Sequence, residues 1–145
     1  MDVKKLISEY FESAQMLQII TTNGYQPWGA TVYFAYDQDL NLYWISRPDR
    51  RHSSELSLNK KVAGVIAKYH TYGEKVRGIQ IEGEAFELKN EDASNAMEIY
   101  TKRYSVPRAR ALNLSGHIVY KLKPTYIVLF DEVNFPENPR QEYKP

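Results

Sequence analysis

The chain has 145 residues, 43% hydrophobic and 26% charged, which suits one globular core and excludes a disordered or collagen-like polypeptide. It has no cysteine, so disulfide frameworks, thiolate metal sites and thiol nucleophiles are excluded, and a reducing, cytoplasmic setting is expected. Nineteen basic against 18 acidic residues leave a net charge of +1, too little for a general field toward nucleic acid or an anionic membrane, so any anion site has to be local.

Taken from the N-terminus, Val3, Leu6, Ile7, Tyr10, Phe11 and Ala14 recur at the spacing of one helical face, with Asp2 placed to cap it. Lys4, Lys5 and Glu9 interrupt the apolar positions, and no stretch reaches the roughly 18 apolar residues of a membrane span or has the form of an export leader. The run Met16 to Thr22 predicts a strand closed by the turn pair Asn23-Gly24. From Gly29 to Tyr36 a second strand is expected with both faces covered, and after a turn at Asp37 to Asp39 a third runs from Leu40 to Ile45. Asp49 is available as the N-cap of a short second helix reaching about Leu58, with Pro48 just before it. Strands over Val62 to Tyr69 and Val76 to Leu88 follow, joined through Gly73-Glu74. Asn90, Glu91 and Asp92 open a third helix that ends before Pro107. The last strands are expected over His117 to Lys123 and Tyr126 to Phe130, interrupted by Pro124, and residues 134–145 read as an extended arm. Six or seven mostly antiparallel strands with few helices predict one mainly β domain over 1–145, a small closed β-barrel with helices at its ends. The 12 tyrosines exceed what such a core can hold with their hydroxyls satisfied, so some should line an interface or a ligand.

The densest polar segment is Ser46-Arg47-Pro48-Asp49-Arg50-Arg51-His52-Ser53-Ser54, between a hydrophobic strand and a helix start. Forked guanidinium donors, hydroxyls and the amides of a helix N-terminus suit an anion, and a phosphate fits that chemistry. The same run also reads as a solvated basic turn. Gly83 breaks a strand that should disfavour glycine, which signals a bulge, a close approach of a backbone or flat ligand, or barrel curvature alone. Gln80, between Ile79 and Ile81, faces either a pocket or solvent. The three histidines, His52, His70 and His117, are spaced for neither a metal site nor a catalytic relay, and no phosphate-loop or dinucleotide fingerprint occurs.

In the order of these segments the chain resembles the pyridoxamine 5′-phosphate oxidase-like family of FMN-binding split barrels, in a short single-domain form. The likeness is carried by Trp28-Gly29-Ala30-Thr31, by Leu42-Tyr43-Trp44-Ile45-Ser46 leading to Arg51-His52-Ser53, by Gly78-Ile79-Gln80-Ile81-Glu82-Gly83-Glu84-Ala85, and by Tyr120-Lys121-Leu122-Lys123-Pro124. It implies a homodimer with two FMN sites at the subunit interface, each built from both chains. Ala30, Thr31 and Val32 with Ile45 and Ser46 would border the flavin ring. Arg51 and His52, with Arg47 and Ser46, would hold its phosphate, and Gln80 would approach from the next strand. The phosphate lysine of many relatives is replaced here by Arg51-His52.

The C-terminal end, Asn138 to Pro145, lacks the substrate-binding segment of the longer family enzymes, so vitamin B6 oxidation is not implied. The reading is a small FMN-dependent oxidoreductase of undefined substrate, with no side chain assignable as acid or base. Its rival is a dimer that binds a flavin, a deazaflavin, haem or another flat anion without turnover. A nucleic-acid-binding barrel is disfavoured by the net charge.

Overall fold

In a computed structural model, which describes residues 1–105 and 116–145, the elements follow the order α1 (Val3–Ser13), β1 (Met16–Thr22), β2 (Pro27–Tyr33), β3 (Ala35–Tyr36), β4 (Leu42–Ser46), α2 (Arg51–Leu58), β5 (Lys61–Ile66), β6 (Arg77–Glu87), α3 (Asn90–Tyr104), β7 (Ile118–Asp131) and β8 (Arg140–Tyr143). The strands form an antiparallel sheet in the order β2-β1-β5-β6-β7-β4-β3, with β8 on the free half of β7. β2 passes through Phe34 directly into β3, so the two ends of this path are one stretch of chain and the sheet curls into a barrel. Closure is incomplete. β3 pairs with β4 only at Ala35↔Tyr43 and Tyr36↔Leu42, which leaves Trp44, Ile45 and Ser46 with no ladder partner on the side facing β2. The barrel is therefore split between β2 and β4, the architecture that the resemblance implied.

Leu17, Ile19, Phe34, Leu42, Trp44, Ile66, Ile79, Ile81, Leu122, Ile127 and Leu129 fill the interior. Ile7, Tyr10 and Phe11 of α1 pack against that core, and the Asp2 side chain caps the helix by accepting from the Lys5 amide at 3.2 Å. α3 lies on the outside, its Ala96 and Met97 packed on Tyr43 of β4 and Val119 of β7.

Several local expectations change. The strand expected over Gly29 to Tyr36 is divided at Phe34, whose amide still donates to Gln15 O at 3.1 Å on the β1 side before Ala35 pairs with Tyr43 of β4. Asp49 does not cap α2: the helix starts one residue later behind Arg50, whose side chain makes no cap hydrogen bond, because the Asp49 carboxylate is held by Arg47. Asn90 is not a side-chain cap either; it has φ +55° behind the capping residue Lys89. Pro124 does not interrupt β7. The register steps from Glu82↔Tyr126 to Gly83↔Pro124, so Thr125 is absorbed as a bulge and the strand continues. Within the arm expected over 134–145, Arg140–Tyr143 forms β8 against β7. α3 ends at Tyr104, and Pro107 lies outside the described residues.

Arg103 ties three elements together. Its guanidinium donates to Phe11 O at 2.7 Å and to Ala14 O, satisfying carbonyls at the end of α1, while lying 4.8 Å from the Phe34 ring centroid and 5.0 Å from that of Tyr36. An Arg103→Met variant keeps much of the stem packing but removes the guanidinium from both carbonyls, of which Phe11 O still accepts from the Ala14 amide at 3.2 Å, so chemical denaturation should show a loss of about 1–3 kcal/mol. A loss below about 0.5 kcal/mol would mean that solvent satisfies them equally well.

Candidate functional site

The split between β2 and β4 holds an open cleft of about 310 Å³ lined by Met16, Thr31, Val32, Tyr33, Ile45, Ser46, Arg47, Arg50, His52, Tyr100 and His117. Its position follows from the backbone. Neither facing strand edge is paired here, and the β4-to-α2 turn delivers polar side chains to one end of the gap while β2 and α3 deliver aromatic ones to the other.

At the polar end, Ser46 and His52 are nearly buried and joined through Ser46 Oγ and His52 Nε2 at 3.0 Å. Burial pushes the His52 imidazole below its ordinary value of 6.5, and the neighbouring Arg50 charge pushes it the same way. Arg47 reaches Asp49 with both ends of its fork, Nε at 3.0 Å and a terminal nitrogen at 2.8 Å, in an exposed pair that competing anions can open. With no side-chain cap from Arg50, the first amides of α2 keep their capacity for an acceptor from outside the helix.

At the other end, Tyr33 meets Tyr104 edge-on with centroids 5.8 Å apart, and Tyr104 in turn adjoins Tyr100 at 5.0 Å. Burial, then the neighbouring Tyr104 and Tyr33 hydroxyls, push the Tyr100 phenol up to about 12, so it stays protonated and able to donate at neutral pH. Permanent cations, a neutral imidazole and an aromatic wall around one gap suit a molecule with an anionic end and a flat apolar body.

Of the residues singled out in the sequence, the cleft brings together Thr31, Val32, Ile45, Ser46, Arg47 and His52. Three lie elsewhere. Ala30 is half-buried against the barrel core. Arg51 points to the neighbouring end of the barrel, where its Nε donates to Glu55 Oε1 at 2.8 Å and its guanidinium sits 4.3 Å from the Trp28 ring centroid. Glu55 is buried, accepts from Thr21 Oγ1 at 2.8 Å, and its pKa is lowered, first by the hydrogen bond from Arg51.

Gln80 is exposed on the outer face of β6. The ladder runs Thr31↔Gln18, Gln18↔Val65 and Val65↔Gln80, so Gln80 is in the row of Thr31 but three strands away, about 14 Å at the usual strand spacing. Met16, Tyr33, Arg50, Tyr100 and His117 were not singled out for the site. Arg50 and Tyr33 carried a local signal, one in the basic run and the other in alternation with Thr31. Tyr100 and His117 come from distant elements and carried none.

The His52 environment gives a pH prediction. Because its folded value is depressed, the imidazole's contribution to stability is present above 6.5 and is lost as pH falls below that toward the folded value, where unfolding takes up a proton. Urea titrations from pH 7.5 to 5 should show falling stability, and His52→Gln should flatten that slope. An unchanged slope in the variant would assign the dependence to other groups.

No family model matches the chain. Among curated proteins, a UPF0306 protein from Enterobacter sp. (strain 638) is 30% identical over 112 residues, 77% of this chain and 71% of the relative. A UPF0306 protein from Photorhabdus laumondii is 27% identical over 103 residues, 70% of this chain and 72% of the relative. Among solved structures, Campylobacter jejuni ChuZ superposes with a TM-score of 0.80 at 11% identity over 98% of this chain, which spans 59% of ChuZ. HutZ, a heme storage protein from Vibrio cholerae, has a TM-score of 0.72 at 15% identity, covering 86% of this chain and 91% of HutZ. A Listeria innocua protein assigned as a pyridoxamine 5′-phosphate oxidase has a TM-score of 0.69 at 20% identity, covering 88% of this chain and 98% of its own. At these identities the likeness is one of fold, and the fold is the split barrel of pyridoxamine 5′-phosphate oxidase-like proteins.

Proposed function

The chain belongs to the UPF0306 family, and from that premise, joined to the geometry of the cleft between β2 and β4, we propose that it is an FMN-binding flavoprotein acting as a small oxidoreductase. The observation that carries this reading is the gap itself, with Ser46, Arg47, Arg50 and His52 at one end and Val32, Ile45, Met16, Tyr33 and Tyr100 beyond them. A dianionic phosphate answers the first group and a flat tricyclic ring the second. Arg47 and Arg50 would hold the phosphate, the Ser46 hydroxyl and the first α2 amides would donate to it, and Thr31, Val32 and Ile45 would border the ring. His52, held neutral by burial, would donate from one ring nitrogen and gain charge only when the anion is present. Bound FMN would supply reversible electron transfer to a small substrate, and the protein's own part is binding, orientation and exclusion of water.

One chain provides about 310 Å³ in an open cleft, which leaves much of a ring uncovered. Supply of the missing wall by a second copy supports the homodimer. Across the outer face of β1, β5, β6 and β7, Ile20, Ala63, Val65 and Tyr126 give apolar positions on a mixed surface that also carries Gln18, Gln80 and Glu82. Pairing two such faces would let Gln80 of one chain approach the cleft of the other, as it cannot within a single chain. No helix among the described residues is long and apolar enough to cross a membrane, and residence in the cytoplasm belongs to the same proposal.

The test is a titration of the purified protein with FMN, followed by flavin fluorescence and by the molar mass of the complex. Saturable quenching at one flavin per chain on a dimer supports the reading; unquenched flavin removes it. A second reading has its own observation, since His52, His117 and Met16 all line the cleft and are side chains of the kinds that ligate haem iron. It keeps the dimeric binding module but replaces flavin with haem. Soret absorption after hemin titration, with FMN silent, would favour it.

A further inference from the structure

Four buried or half-buried tyrosines bind their hydroxyls within the chain: Tyr10 donates to Arg77 O at 3.2 Å, Tyr36 to Glu12 Oε2 at 2.5 Å, Tyr43 to Asp37 Oδ2 at 2.8 Å, and Tyr104 to Phe34 O. Tyr100 differs. It is half-buried in the wall of the cleft between β2 and β4, its ring held against Tyr104 with centroids 5.0 Å apart, yet no described residue accepts a hydrogen bond from its hydroxyl. That oxygen is not sealed into the interior either. Tyr33 also lines the cleft, but it is 51% exposed, and water serves its hydroxyl. A half-buried donor without an acceptor is a cost that a ligand in the cleft can remove.

We propose, resting on the flavin reading above, that the Tyr100 hydroxyl donates to a carbonyl oxygen on the pyrimidine edge of bound FMN and thereby raises the flavin's reduction potential. The opposite, dimethylbenzene edge carries no acceptor, so a ring seated that way would leave the phenol unpaired. Two-electron reduction at neutral pH gives the pyrimidine edge a negative charge, shared between N1 and the carbonyl oxygens. A hydrogen bond to that edge is therefore neutral with oxidised FMN and charge-assisted with reduced FMN, which makes it roughly twice as strong. Burial keeps the phenol protonated at neutral pH, so it is a donor in both states. Arg47 and Arg50 make no such distinction, because the phosphate that they would hold carries its charge before and after reduction. The arginines set how tightly either form is held, and Tyr100 sets which form the cleft prefers.

The test compares the parent protein with Tyr100→Phe. Fluorescence quenching gives the affinity for oxidised FMN, and the midpoint potential of the bound flavin, read against a reference dye, gives the preference for reduced FMN. Tyr100→Phe should melt at the parent temperature, since the hydroxyl bonds to nothing in the fold. It should bind oxidised FMN about fivefold more weakly and reduced FMN about fiftyfold more weakly. That tenfold difference lowers the two-electron midpoint by about 30 mV. Tyr104→Phe, which loses an internal hydrogen bond, should melt lower and leave the midpoint where it is. The proposal is overturned if Tyr100→Phe and the parent bind FMN with the same midpoint, or if Tyr33→Phe lowers it and Tyr100→Phe does not. Failure of the parent to bind FMN at all overturns the flavin reading first and this inference with it.

Discussion

Replacement of Arg47 and Arg50 together by alanine should weaken FMN binding by roughly 100-fold or more, with the fold intact. Both side chains are exposed and line the cleft, and each charge-assisted hydrogen bond to phosphate is worth about 1.5–3 kcal/mol, so two of them amount to at least about 3 kcal/mol. Loss of Arg47 also frees the Asp49 carboxylate beside the anion, which deepens the effect. Arg51→Ala should behave differently. Its guanidinium is committed to Glu55 and Trp28 outside the cleft, so the expected result is destabilisation, because buried Glu55 loses its cation, with FMN affinity changed by less than about fivefold. Fluorescence titration and urea denaturation of the two variants separate these outcomes. If Arg51→Ala loses flavin as strongly as the double variant, the Glu55 pairing opens on binding and the phosphate sits nearer the barrel end.

The largest expected effect on stability belongs to Gly83→Ala. A β-carbon at Gly83 would stand 2.5 Å from Lys123 O and 3.0 Å from Leu122 Cδ2, and the first of these is backbone of the strand paired to it. The chain there cannot yield without opening the β6–β7 ladder at the bulge beside Pro124, so a cost of about 3 kcal/mol or more is expected. Gly64 provides the contrast. There the closest atom is Leu17 Cδ1 at 3.1 Å, the far end of a side chain that can rotate, and about 1 kcal/mol is a sufficient estimate. At Gly29 a β-carbon meets nothing within 4 Å, and alanine should fall within about 0.5 kcal/mol of the parent protein. Thermal or urea unfolding of the three variants tests the ranking; equal effects at Gly83 and Gly29 would contradict it.

The same three glycines show what a sequence can and cannot disclose. Gly83 announced that something approaches the strand closely, but whether a ligand or a backbone did so depends on a partner strand some 40 residues away in the chain, and it is the Lys123 carbonyl. Local signals fared better where the physics is local. The apolar face of α1, its Asp2 cap and the Asn23-Gly24 turn, where Asn23 Oδ1 accepts from the amides of Tyr25 and Gln26 and Gly24 takes φ +94°, were all legible from neighbouring residues.

Of the two arginines that the basic run offered, Arg47 lines the cleft and Arg51 turns to Glu55 and Trp28. Successive helical residues project about 100° apart, so a start that moves from Asp49 to Arg50 decides which side chains face the gap and which face the barrel end. That choice depends on Asp49 preferring the fork of Arg47 to the amides of a helix, a competition between two comparable hydrogen bonds that sequence spacing does not rank. Tyr100 reaches the cleft because α3 packs across the outside of β4 and β7, and His117 because β7 pairs with β4 at Ser46↔Ile118; no pattern within either segment foretells it.

The most direct measurement is the map of amide shifts produced by FMN on the isotopically labelled protein. A flavin seated between β2 and β4 shifts Thr31, Val32, Ile45, Ser46, Arg47, Arg50 and His52 together, with a second patch around Gln80 from the opposing subunit. Saturable binding with those amides unmoved, or no binding at all, contradicts the account.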